Sequence, residues 1–313
     1  MRYTIQKPSH GSQEWLNVRW KDADGKARIS ASVAGAVHGE NPFTSTSDLA
    51  FELLAAQPPT PKDPTQAMDR GNRLEPLIMN WAADLEGIEL QSPEQMYCYD
   101  DGRANLIATL DAIDAQGIPY EIKTSTRRWD GVLPRYWYWQ GVQQSICSGA
   151  DIIEWVIFDS GMQIHRYTQY VTSDEQQIHI QACGQFLTHI HNGEIPPNAI
   201  PEYKHAESWY PESAFISAEL PQETLAVIEW LEEVRERKKE LEKKEDELKA
   251  SIALLLGEAD TGKINGETVV TWRSNKRSSI DTKQLQIDHP VLCEKYKKET
   301  SYRVMKITKK GDK

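Results

Sequence analysis

The stretch Asn105–Ser125, NLIATLDAIDAQGIPYEIKTS, decides the fold. Two apolar runs, Leu106–Ile113 and Tyr120–Thr124, flank the turn signal Gln116-Gly117. The pattern predicts two strands paired as a hairpin. Side chains two apart on a strand share a face, so Thr109, Asp111 and Ile113 fall together, as do Glu121 and Lys123. Tyr120 and Ile122 turn the other way, into a core. Pairing would bring Asp111, Glu121 and Lys123 to one edge. Carboxylate oxygens ligate hard divalent cations, and a nearby ammonium can orient water or offset charge on a phosphate. Charge on an otherwise apolar strand is unfavourable unless it is used. A plain charged hairpin explains the same residues, so the weight falls on their surroundings.

A chain of 313 residues has room for one large domain or two. It contains no apolar run near the roughly 20 residues of a membrane span. Its start, MRYTIQKPSHG, lacks the apolar stretch of a signal peptide. A protein working in the cytoplasm, with no membrane partner, is the expectation. Cys98, Cys147, Cys183 and Cys293 are scattered without a C-x-x-C pair, which argues against a zinc ribbon or an iron–sulfur cluster and for buried thiols. There are 36 basic and 47 acidic residues, a net charge of −11. Nucleic-acid binders usually show a basic footprint, so this balance counts against DNA unless basic groups line one groove and acids hold metal. The excess acid lies before Ser217; the remainder is near neutral.

Ser12–Trp20 reads as an amphipathic helix with Trp15 and Val18 inward. Arg28-Ile29-Ser30-Ala31-Ser32 leads into a helix at Val33–His38, with Ser32 as its N-cap; hydroxyls and an arginine at a helix start suit an anion. Asn41-Pro42-Phe43 breaks it, a helix follows at Ser47–Ala56, and Gln57–Pro64 is a loop. Ala67–Glu86 is helical, with a stripe of Leu74, Leu77, Ile78 and Trp81 and with Glu75 beside it. Tyr97–Tyr99 is a strand and Asp100-Asp101-Gly102 a turn. Arg127, Arg128 and Arg135 interleave with Trp129, Tyr136, Trp137, Tyr138 and Trp139, as suits phosphates and stacked bases, although at least half of these aromatics fit the core of a helix at Pro134–Ser148. Gln140, Gln143 and Gln144 share one face of that helix. Glu154–Phe158 and His165–Val171 form a hairpin through Ser160-Gly161, and Asp174–His191 a helix.

Ile195–Pro211 reads as a proline-containing linker, dividing the chain into 1–210 and 211–313. Beyond it runs a helix, Pro221–Leu256, whose Val227, Val234, Leu241, Leu248 and Leu255 repeat every seven residues and need a surface to cover. A hairpin about Asn265-Gly266, a helix near Thr282–Lys297 and a strand at Tyr302–Ile307 complete the tail.

The ordered pieces Glu14-Trp15-x-x-x-Arg19, Arg28-Ile29-Ser30-Ala31-Ser32, Gly71-x-x-x-Glu75, Thr109-x-Asp111, Glu121-x-Lys123 and the glutamine helix resemble the phage lambda exonuclease family, the YqaJ-type viral recombinases of the PD-(D/E)XK nuclease superfamily. The resemblance runs from about Ser12 to Gly193. It implies an α/β, restriction-endonuclease-like core, a central mixed sheet flanked by helices, with the long helix and a small α+β tail added. It implies a Mg²⁺-dependent exonuclease, with Mn²⁺ as a substitute, that degrades one strand of linear double-stranded DNA 5′→3′. The 3′ overhangs would serve recombination by strand annealing. Partners would be duplex ends, two further copies in a homotrimer and a single-strand annealing protein, in a phage- or prophage-carrying bacterium. By resemblance Asp111 and Glu121 hold metal, Glu75 is a further acidic ligand or holds water, Lys123 is the catalytic lysine, and Gln143 is the helix glutamine, with Gln140 the other register; the Ile122 carbonyl would join the metal set. Arg19, Ser32 and Thr109 match positions that hold a 5′-phosphate; Arg127 and Arg128, on their residue type and aromatic neighbours alone, are expected as further DNA contacts. Leu110 stands where the family has proline, and Trp20–Ala27 is an insertion after Arg19. An endonuclease on the same fold and a non-catalytic DNA-binding scaffold are the alternatives.

Overall fold

Residues Asn105–Ala108 and Ala112–Ile113 are two strands, not one, and they belong to different sheets. The chain leaves one sheet at Thr109 and enters the other after Asp111, with Leu110, 1% exposed, buried at the break. This computed structural model describes residues 1–61, 63–214, 216–276, 278–298 and 302–307. Lys62, inside the expected loop, lies outside them.

The chain divides into two compact units, Met1–Ala206 and Glu207–Lys313, a few residues ahead of the expected boundary. The first contains β1 (Arg2–Gln6), α1 (Gln13–Trp20), β2 (Ile29–Ser30), a 3-10 turn (Ala31–Val33), α2 (Ala34–Val37), α3 (Thr46–Leu54) and α4 (Gln66–Glu86). There follow β3 (Gln95–Asp100), β4 (Asn105–Ala108), β5 (Ala112–Ile113), β6 (Pro119–Thr124), α5 (Arg135–Ser148), β7 (Ile152–Phe158), β8 (Ile164–Tyr170) and α6 (Ser173–His191). A further helix, α7 (Tyr203–Trp209), lies within the stretch read as linker.

One sheet has the order β1-β3-β4-β2, the other β5-β6-β7-β8. Each is mixed: β2 and β4 are parallel, as are β6 and β7, and the other neighbours are antiparallel. The expected hairpin survives in short form, with Ala112 opposite Tyr120 and Ile113 opposite Pro119.

The largest core joins β4, β7, α5 and α6 through Leu106, Ile153, Trp155, Ile157, Trp137, Val142, Ile146 and Leu187. Trp137 and Trp139 are buried in it, and Trp129, Tyr136 and Tyr138 pack against it, so the aromatic run is mostly core. Gly141 permits this close packing: a Cβ there would stand 2.1 Å from Gln169 Oε1. A second cluster sets Ile78 and Ala82 of α4 against Ala112, Tyr120, Ile122 and Val156. Burial of Ile78 or Ile122 stabilises by roughly 1.5–3 kcal/mol each. The inner face of α4 follows the four-residue row Leu74–Ile78–Ala82, so Leu77 and Trp81 of the expected stripe point away and are 64% and 46% exposed. Trp15 and Val18 pack on a third cluster, Met96, Cys98 and Ile107. Hydroxyl side chains cap α1 (Ser12), α3 (Ser45), α4 (Thr65) and α6 (Thr172).

In the second unit, α8 (Thr224–Leu256) has no buried residue, and Val227, Val234, Leu241, Leu248 and Leu255 are 59–89% exposed. The strands β9 (Thr261–Ile264) and β10 (Glu267–Thr271) pair about Asn265 and Gly266, both at positive φ, as a tight two-residue turn requires. The single helix expected over Thr282–Lys297 is broken at Pro290 into α9 (Thr282–Asp288) and α10 (Pro290–Lys295), because proline cannot donate the ladder bond. Residues 302–307 form no strand. Among the described residues no helix is long and apolar enough to cross a membrane.

Candidate functional site

Both β2 and β4 end at one place, and a cavity of about 490 Å³ opens there. Four directions supply its walls: Trp15 and Arg19 from α1; Ser30 at the end of β2 and Ser32 just after it; Asn72 and Glu75 from α4; Thr109 and Asp111 after β4. Glu121 and Lys123 of β6 and Gln140 of α5 close it. The carboxyl ends of parallel strands are where open sheets commonly leave a crevice.

Asp111 sits at the seam between the sheets. Its Oδ2 accepts the Ile122 backbone N–H at 2.8 Å, which ties the break to β6. Glu121 is 3% exposed. Lys123 Nζ donates to its Oε1 at 2.5 Å, Gln140 Nε2 donates to the same oxygen, and Gln144 Nε2 donates to Oε2. The two glutamines, one helical turn apart, thus hold one carboxylate oxygen each. The shared strand face of Glu121 and Lys123, and the inward turn of Tyr120 and Ile122, are as the alternation predicts.

Three carboxyls facing one cavity repel. Burial, then Glu121 and Glu75, pushes the Asp111 carboxyl well above its usual range. Burial, then Glu121, raises Glu75. Burial opposes the charge on Lys123, but Glu121 and Asp111 outweigh it and raise the ammonium. Hard oxygen donors that resist ionisation beside one another suit a divalent cation, so the donor chemistry fits one. Among the described residues no three acidic, imidazole or thiol side chains stand close enough together to enclose an ion. Glu121 is instead spent on Lys123, Gln140 and Gln144.

The opposite wall is basic and hydroxylic. Arg19 Nη2 donates to Ser30 Oγ at 2.7 Å and to Ser32 Oγ at 2.5 Å, and its guanidinium lies 3.9 Å over the Trp15 ring. Burial lowers this guanidinium to about 10, against the attraction of Glu52. The insertion after Arg19 folds back on itself: Lys21 and Ala27 form an antiparallel bridge, with Gly25 at φ +79° in the turn. That return brings Ser30 and Ser32 to Arg19. Ser32 is not a helix cap, contrary to expectation. It lies inside the 3-10 turn, whose N-cap is Ser30, and its hydroxyl faces Arg19 instead.

Other expected residues divide. Thr109 reaches the cavity from the break, not from a strand face. Gln143 does not line the cavity; it is fully buried and donates to the carbonyls of Ile29 and Ile107. Gln140 and Gln144 are the glutamines that reach a carboxylate. Arg127 and Arg128 are exposed and line no part of the cavity. Lys7, His10, Ser30 and Asn72 line it without having been singled out. Ser30 carried a signal in its spacing from Ser32; Lys7 and His10 carried none, since only the antiparallel run of β1 beside β3 brings their loop to the site.

Residues 14–151 match the family model of the YqaJ-like viral recombinase domain, so the resemblance read from the ordered motifs holds over that stretch. Over that stretch the chain is similar to a viral-recombinase-type domain, and it is built on a mixed α/β core. An alkaline exonuclease from Laribacter hongkongensis, LHK-Exo, superposes with a TM-score of 0.46 at 18% identity, covering 58% of this chain and 93% of that one. Its complex with dAMP gives a TM-score of 0.47 over the same shares and at the same identity. A phage-related exonuclease from Haemophilus somnus 129PT gives 0.39 at 9% identity, over 53% and 96% of the two chains. No curated protein matches the chain.

Proposed function

We propose that the first unit is a Mg²⁺-dependent exonuclease that removes nucleotides 5′→3′ from one strand of linear double-stranded DNA, leaving 3′ overhangs for strand annealing. One observation carries this reading: the carboxylate–lysine set and the arginine–serine corner share a single cavity. A terminal 5′-phosphate on Arg19, Ser30 and Ser32 takes charge-assisted hydrogen bonds. The phosphodiester one nucleotide further along then lies toward Glu75, Asp111 and Glu121. Those three side chains and the Ile122 carbonyl would hold the metal, with Mn²⁺ as a substitute. When bound, the metal supplies charge neutralisation at the phosphate and a more acidic water. Gln140 and Gln144 fix Glu121, the Ile122 N–H fixes Asp111, and Lys123 places positive charge where a phosphate oxygen gains negative charge.

The test compares linear with circular duplex, with and without Mg²⁺, and 5′-phosphate with 5′-hydroxyl ends. Digestion is expected only of linear DNA with metal, and faster from phosphorylated ends; Ser32→Ala should shrink that preference by about tenfold. Cutting of covalently closed circles would replace the exonuclease by an endonuclease. Equal rates on both ends would remove the phosphate corner.

From the resemblance we also infer a homotrimer encircling duplex and a single-strand annealing partner, in the cytoplasm of a phage- or prophage-carrying host. Light scattering is expected to give three times the chain mass; a monomer at micromolar concentration counts against the ring.

A further inference from the structure

Behind the cavity, away from its lining, lies a row of buried polar side chains that the proposed reaction does not use. Gln143 and His179 are both fully buried. Gln143 Nε2 donates to Ile29 O at 2.8 Å and to Ile107 O at 3.0 Å, which uses both of its protons. Its Oε1 therefore faces His179 Nε2, 3.0 Å away, and that nitrogen must donate. His179 Nδ1 is then an acceptor, and His38 Nε2, 2.9 Å away, donates to it. His38 stacks on Trp139 with centroids 3.6 Å apart. Donation runs one way, from His38 through His179 to Gln143 and on to two backbone carbonyls. Burial keeps both rings neutral, at about 4 for His38 and about 3 for His179, as this order of donors demands.

The two carbonyls matter because of where they sit. Ile29 and Ile107 lie on the parallel pair β2 and β4, each one residue before its strand's last. Ser30 and Ser32 follow the first, Thr109 and Asp111 the second. One amide group thus spans the two strand ends that present the opposite walls of the cavity. We propose that His38, His179 and Gln143 are positioning residues that set the spacing between the arginine–serine corner and the acidic residues, and hence the register of cleavage from the 5′ end. This rests on the exonuclease reading above.

The experiment measures, for wild type, His179→Phe and Gln143→Met, the rate ratio on 5′-phosphate against 5′-hydroxyl duplexes and the length of the first product. Circular dichroism checks folding. In the folded variants the ratio is expected to fall by about tenfold to a hundredfold, since a small misplacement of reacting groups has effects of that order. Products longer than a mononucleotide should appear. His179→Gln, which can still donate to Gln143, should recover part of the ratio. A general loss of packing would slow both substrates alike and would not shift product length. A folded His179→Phe with wild-type ratio and products overturns the proposal. If His179→Phe does not fold, His38→Phe keeps the stack and removes only the first donor; an unchanged ratio there overturns it equally. Wild type indifferent to the 5′ group overturns the phosphate corner itself, and that result needs no variant.

Discussion

Lys123→Met is expected to slow turnover on linear duplex DNA by about a thousandfold, while the protein still folds. The methionine stem fills the space of the lysine stem, so packing on the nearby Trp137 and Trp155 rings, each 6.0 Å from the ammonium, is largely kept. What is lost is one positive charge, 2.5 Å from Glu121. Without it the acidic cluster is less compensated, because burial and mutual repulsion already raise Asp111 and Glu75. The variant should therefore melt lower than wild type in chelator and recover most of that difference in Mg²⁺, whereas turnover should not recover. Single-turnover rates and melting curves, each with and without metal, make the comparison. A folded variant cutting at near wild-type speed would remove Lys123 from the chemistry.

The second large effect concerns metal binding, read without activity. Mg²⁺ at about a hundred times its dissociation constant should raise the wild-type melting temperature by about 5–10 °C. Asp111→Asn and Glu121→Gln should abolish that rise. Asp111→Asn should also melt higher than wild type in chelator, since the amide keeps an acceptor for the Ile122 N–H and removes a repelled charge. The pH dependence has a definite sign. Protons and metal compete for Asp111 and Glu75, whose folded-state affinity for protons is raised. The Mg²⁺-induced rise should thus be larger near about pH 8 than near about pH 5.5. A full Mg²⁺ shift retained in both variants would falsify the assignment of these carboxylates as ligands.

Alternation in Glu121-Ile122-Lys123 was enough to separate a buried Ile122 from two side chains facing a cavity, because a six-residue strand obeys its period of two. The same reasoning failed at Thr109 and Asp111. An apolar run of eight residues looks continuous, and nothing local in Leu110 shows that the chain changes sheets there; the break is set by what β4 and β5 pair with. The glutamine face was legible from helical spacing, yet spacing does not say which of Gln140, Gln143 and Gln144 meets the site. Gln143 turns to the strand ends because His179 of a distant helix takes its oxygen. In sequence, Arg19 is separated from Ser32 by the insertion Trp20–Ala27. The hairpin-like return at Lys21 and Ala27 makes that insertion harmless. The exposed stripe of α8 was legible too, but not what covers it.

The seam at Asp111 also bears on how the molecule comes into being. Half of the cavity wall comes from one sheet and half from the other, with Glu75 on a helix laid against the second. A chain in which only one sheet has formed holds no more than part of the acidic set, and Lys123 and Arg19 are then on separate pieces. Joining them requires contacts between residues far apart in sequence, which form late and together. A ribosome-bound or partly folded chain therefore carries the residues of the proposed site without the site itself. On the proposed reading, the capacity to cut DNA requires both sheets to have docked.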